Sequence, residues 1–160
     1  METANIQTAE TPQSSGFRLR LFHVQVLIEI VALCVTGWMF YNKIAGQPLQ
    51  CSEIGIINCS VVESSAWSRV LGFPTSGLGF IAHVIILSLL LLERRVSFFQ
   101  QYAVPMLFGV TLFSVLYHFY LIYISLFVIK AICLWCMTAA TLMTIQFGIN
   151  SVRLRRYLAA

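Results

Sequence analysis

Four stretches of this chain, 21–41, 74–92, 102–127 and 131–150, carry no lysine or arginine, and Glu29 is their one acid. Each is close to the ~20 residues needed to cross the hydrocarbon core of a bilayer as a helix. Helix is also the form in which a lone apolar segment satisfies its own backbone hydrogen bonds. Of the 160 residues, 59% are hydrophobic and 10% charged, more apolar surface than a soluble domain of this length hides. The expected fold is therefore an all-α membrane protein, a four-transmembrane-helix bundle with a long outer loop. Its limits are a polar, disordered tail over 1–16, the membrane domain over 17–150 with its loop at 42–73, and a basic tail over 151–160. The first apolar run is too long for a signal-peptide core, and Asn42 to Ala45 make a poor cleavage site, so that helix is expected to be retained.

Cations set the expected orientation, because loops rich in Lys and Arg stay cytoplasmic. Arg18 and Arg20 precede the first run, Arg94 and Arg95 separate the second and third, and Arg153, Arg155 and Arg156 follow the fourth. Lys43, Arg69 and Lys130 belong to the opposite side, where Glu53 and Glu63 offset two of them. Both termini are thus expected in the cytoplasm, with the loop and the start of the fourth helix outside it. The net charge of +4 follows from this topology and from contact with anionic membrane lipid. No basic face interleaved with aromatics suggests a nucleic-acid partner.

Four of the five cysteines lie on the outer side, where disulfides persist. Ser60 and Glu63 have capping-box spacing, which predicts a short helix directly after Cys59. Val62, Ala66 and Val70, with Trp67 and Leu71 alongside, would continue it as an amphipathic helix on the bundle or membrane surface, with Trp67 at the interface. Gly72 then ends that helix and Pro74 enters the first turn of the next. Cys59 falls at a helix N-terminus, which favours thiolate, and Gly55 permits the turn that would bring Cys51 within disulfide range. A structural staple and a redox pair are both compatible with this spacing.

Cys133-Leu134-Trp135-Cys136 is a C-x-x-C motif at the N-terminal end of the fourth helix, with Lys130 nearby. Thiols so placed exchange disulfides, and at a membrane edge they need a lipid-soluble two-electron acceptor, for which a quinone is the natural candidate. A quinone between the helices would lie nearer Cys136 than Cys133, and Ala140 one turn deeper keeps that face open. Trp135, Phe80, Phe113 and Phe119 are candidate flat contacts. The competing use of the four thiols is a four-thiolate metal site or a thiol sensor. A purely structural partner with a stapled loop would leave the C-x-x-C without a task.

Taken together, Cys51, Cys59, Ser65, Trp67, Ser76, Gly79, Cys133 and Cys136 resemble the vitamin K epoxide reductase family over about 21–150. The resemblance implies a quinone site inside four helices, capped by the loop. It implies electrons arriving from a thioredoxin-fold partner at Cys51, Cys59 attacking Cys133, and Cys136 released as thiolate beside the quinone. Animal epoxide reductases of the family carry an asparagine and a tyrosine where this chain has Thr75 and Ala140. The bacterial, DsbB-like homologues, which oxidise a DsbA-like protein, are the better match. The expectation is thus a thiol:quinone oxidoreductase of the bacterial inner membrane, with a separate DsbA-like partner. Its quinone would be ubiquinone or menaquinone, met by Ser65, Thr75, Ser76 and Ala140, with no metal. Reduction of a quinone or of vitamin K epoxide is the alternative.

Outside these motifs, Cys34 reads as a buried small hydrophobe. Glu29 lies in the cytoplasmic half, where Gln146 or an arginine is the expected partner. His83 and His118 read as interhelical hydrogen-bonding groups, with a proton relay to a reduced quinone as the alternative.

Overall fold

The structure, a computed structural model, describes residues 12–159 except Glu53, with side chains described over 20–96 (again without Glu53) and 102–159. Most of the tail expected over 1–16 lies outside the described residues. Helix α1 (Pro12–Ile44) leads into the outer loop, which holds α2 (Cys59–Ser64), a 3-10 turn at Ala66–Ser68, and the short strands β1 (Arg69–Val70) and β2 (Phe73–Pro74). Three long helices follow: α3 (Thr75–Arg95), α4 (Ser97–Ile124) and α5 (Leu134–Ala159). The segment 151–159, expected as a tail, continues α5 without a break.

Helix α1 packs on α3 and α5, and α4 packs on the same two, so the long helices close a four-membered ring. Among the described residues, three are long and apolar enough to cross a membrane, at Arg20–Ile44, Thr75–Arg95 and Tyr102–Ile129. Helix α5 supplies the fourth wall and buries Gln146 and Asn150 against the others. The mid-bundle core is apolar, built on Ile86, Leu90, Leu107 and Met143. At the loop end α3 comes in tightly beside Phe40 of α1. A methyl group on Gly77 would stand 2.6 Å from Phe40 and 2.7 Å from Phe73, whereas one on Gly79 would meet nothing nearer than Thr36 at 3.8 Å.

One end of the ring gathers arginines. Arg153 of α5 forks onto both oxygens of Glu93 on α3 and donates to Gln25 of α1 at 3.0 Å. Gln25 in turn donates to Asn150 at 2.9 Å and its carbonyl accepts from Gln146 at 3.2 Å. Deeper in the bundle, His83 Nδ1 meets Glu29 Oε2 at 2.7 Å, with both side chains fully buried. Glu29 therefore pairs with neither Gln146 nor an arginine, because its face of α1 turns to α3. Cys34 departs from expectation as well: it is exposed on the outside of α1, while Ala32 and Thr36 take the buried face.

The loop is less regular than the sequence suggests. Asn58, not Ser60, caps α2, its side chain accepting from the Val61 amide at 3.0 Å. An asparagine next to the helix start satisfies that orphan amide directly, so the Ser60–Glu63 capping box does not form. Glu63 instead faces Lys43, whose ammonium lies 3.4 Å from its carboxylate, donates to its carbonyl, and donates to Ser68 Oγ at 2.9 Å. Helix α2 stops at Ser64, and the expected stripe from Val62 to Val70 is divided among helix, 3-10 turn and strand. Leu71 and Gly72, both at positive φ, form the two-residue turn that pairs Val70 with Phe73. Pro74 precedes α3 as its cap.

Candidate functional site

Backbone pairing brings the two cysteine pairs together. Gly55, at φ +62°, turns the chain so that Ile54 faces Ile57, and Ile57 then pairs in parallel with Ile132. Two hydrogen bonds hold that bridge, from the Ile132 amide to the Ile56 carbonyl at 2.8 Å and from the Asn58 amide to the Ile132 carbonyl at 3.0 Å. Cys133 directly follows Ile132 and Cys59 lies two residues past Ile57, and both enter one buried cluster with Met39 and Leu49. The approach to Ile132 is made by a widened turn over Ser125–Ile129 that ends in Lys130, held at φ +57°.

Cys51 and Cys59 are joined in a disulfide with Cα atoms 5.9 Å apart, while Cys133 and Cys136 are free thiols. Each pair sits on a helix N-terminus. The Cys59 amide donates to Cys51 Sγ at 3.2 Å. The Cys136 amide donates to Cys133 Sγ at 3.4 Å, and the Met137 amide donates to the Cys133 carbonyl, so Cys133 itself caps α5. Access is graded along the series: Cys51 is half-buried, Cys59 and Cys133 are buried, and Cys136 is half-buried where it faces a cavity. With Cys51 and Cys59 bonded to each other, those sulfurs are not available as thiolate ligands.

That cavity, of about 130 Å³, lies beneath the loop and between the long helices. Its volume is close to the ~150 Å³ of an apolar protein cavity that takes a benzene ring. Cys133 and Cys136 form one wall, and Ser65, Thr75 and Ser76 also line it. Ala140 does not. It is buried toward the helix interface, and Ala139 takes the place in the wall expected of it.

The hydroxyls differ in what they have left to offer. Ser65 donates to the Val62 carbonyl at 2.7 Å, and Thr75 to the Ser68 carbonyl at 3.2 Å. Ser76 Oγ is buried and has no partner among the described residues. The aromatic lining is not the expected set either. Phe113 and Phe119 point outward, Phe80 stacks on Phe40, and Trp135 donates to the Gln50 carbonyl at 3.1 Å, fastening the loop. Trp67, Tyr117 and His118 line the cavity instead. His118 Nδ1 donates within its own helix to the Ser114 carbonyl at 2.8 Å, so it makes no interhelical bond there. A Tyr-His pair within an aromatic-rich helix gave no periodic signal marking it out from packing.

The arrangement therefore runs from a half-accessible disulfide, through two buried sulfurs, to a thiol in the wall of a ring-sized cavity. Residues 24–151, most of the chain and all four of these cysteines, match the model of the Vitamin K epoxide reductase family.

Proposed function

The chain belongs to the vitamin K epoxide reductase family, a membership that makes it a membrane oxidoreductase acting through thiols. On that premise we propose that it oxidises a DsbA-like, thioredoxin-fold protein and passes the two electrons to a quinone, ubiquinone or menaquinone. In this reading α5 is the fourth transmembrane helix. The arginine end and both termini face the cytoplasm, and the cysteine end faces the periplasm of a bacterial inner membrane, in keeping with the distribution of cations.

The observation that carries the reading is the continuity of Cys51, Cys59, Cys133 and Cys136 into the cavity wall. A partner thiolate attacks Cys51, the accessible end of the disulfide, and resolution of the mixed disulfide leaves an oxidised partner with Cys51 and Cys59 reduced. Cys59 thiolate then attacks Cys133 in a Cys133–Cys136 disulfide, with Cys136 as leaving thiolate. Attack by Cys51 on Cys59 restores the first disulfide and leaves Cys133 and Cys136 as thiols, the arrangement of the present structure. When the pair closes again, its two electrons, with two protons, reduce a quinone to a quinol. Hydrogen bonding from Cys136 at the start of α5 favours thiolate at Cys133.

Purified protein supplied with a reduced DsbA-like substrate is expected to convert a short-chain quinone to its quinol, with Cys136→Ala at background. An unchanged rate in Cys136→Ala would overturn the mechanism. Vitamin K epoxide is expected to turn over poorly, because Thr75 is committed to the Ser68 carbonyl and Ala140 lies outside the cavity wall.

A further inference from the structure

Seven hydroxyl side chains line the cavity beside Cys136: Thr36, Ser65, Ser68, Thr75, Ser76, Tyr117 and Ser125. Thr36, Ser65, Thr75 and Ser125 each donate to a backbone carbonyl, those of Ala32, Val62, Ser68 and Ala131 respectively. Ser68 accepts from Lys43. Only Ser76 and Tyr117 differ: both oxygens are buried, and neither has a hydrogen-bond partner among the described residues. A buried hydroxyl without a partner is costly, and two around one apolar cavity suit a ligand that brings two acceptors.

We infer that Tyr117 donates a hydrogen bond to one carbonyl oxygen of the quinone and Ser76 to the other. This rests on the proposed function and adds to it a residue of α4 that the sequence did not single out. A quinone has two carbonyl acceptors and no donor of its own, so two hydroxyl donors complement it. The donors stand on different helices, Ser76 on α3 and Tyr117 on α4, with the cavity between them and Cys136 in the wall supplied by α5. Ser65 and Thr75 are excluded from the pair because their hydrogens are already spent. Ala140 has no donor to give. A bond from the Tyr117 phenol strengthens as negative charge gathers on the ring oxygen, so Tyr117 assists reduction as well as binding.

The test is binding of a short-chain quinone to the full-length protein, read by quenching of tryptophan fluorescence, since Trp67 lines the cavity. Infrared spectra of the bound quinone supply the carbonyl stretches. Tyr117→Phe, which removes only the hydroxyl, is expected to raise Kd about tenfold and move one carbonyl band to higher frequency. Ser76→Ala should do the same to the other band. Tyr120→Phe, which alters the half-exposed ring stacked on Tyr117, should change neither. A Kd and carbonyl spectrum unchanged in Tyr117→Phe would overturn the assignment. Wild-type protein that binds quinone with both shifted bands, yet passes it no electrons from thiols, would refute the proposed function while supporting the assignment. Wild-type protein that binds no quinone would refute both.

Discussion

At the arginine end of the bundle buried polar side chains meet one another, whereas at the cysteine end two buried hydroxyls, those of Ser76 and Tyr117, meet a cavity. Gln25, Asn150, Gln146, Arg153 and Glu93 form a connected seam across α1, α3 and α5, with the Glu29–His83 pair deeper in the same half. Some capacity there is unused, including Glu29 Oε1 and His83 Nε2, but each of those side chains has a partner. The hydroxyls of Ser76 and Tyr117 have no hydrogen-bond partner among the described residues. Between apolar helices a polar pair supplies what hydrophobic contact with lipid cannot, a preference for one helix arrangement. The comparison teaches that polarity at one end holds the bundle in register, whereas at the other two hydroxyls are left unpartnered, as the inferred quinone contacts require.

The sharpest way to break the comparison is Cys136→Ala. Thiol-dependent quinone reduction should fall to background while thermal stability in detergent barely moves, and a large loss of stability would mean that the cysteine end also holds the fold. Next in size is Glu29→Ala, which leaves His83 buried without its partner. Stability should drop by about 3–5 kcal/mol, as for other broken buried pairs, with little change in quinone Kd. A denaturation midpoint close to wild type would show that the pair does not lock the helices. Gly77→Ala places a methyl group against Phe40 and Phe73 and should cost about 1–3 kcal/mol through overpacking, whereas Gly79→Ala should cost less, having 3.8 Å of room. Equal losses for the two would contradict the close approach of α3 at Gly77. The smallest effect belongs to Ser65→Ala. Its hydroxyl serves the Val62 carbonyl, so quinone Kd should rise no more than about twofold, and a tenfold rise in titration would place Ser65 among the ligand's donors.

The long helices were legible because charge-free length leaves few other structures, and the cysteine pairs because C-x-x-C and an outer loop are local patterns. The disulfide between Cys51 and Cys59 needed only a turn at Gly55, which forms. The loop was harder. Asn58 outcompetes Ser60 for the cap by lying one residue before the helix, and the i, i+4 recurrence from Val62 to Val70 does not outweigh the turn made by Leu71 and Gly72. The aromatics depart from expectation for a related reason: in a helix apolar nearly all round, sequence carries no phase to separate Tyr117, which lines the cavity, from Phe119, which is exposed on another face.

By itself the sequence determined the apolar helices, the side on which arginine gathers, and the placing of two cysteines in a loop and two in a C-x-x-C motif. These depend on residues near one another in the chain, and on length and charge. The tertiary structure decided that Ile57 bridges Ile132 and so sets Cys59 beside Cys133's segment, that Glu29 meets His83, and which hydroxyls remain unspent. Each of those depends on how helices are rotated against one another, and a hydroxyl's availability depends on whether a neighbouring carbonyl has already taken its hydrogen.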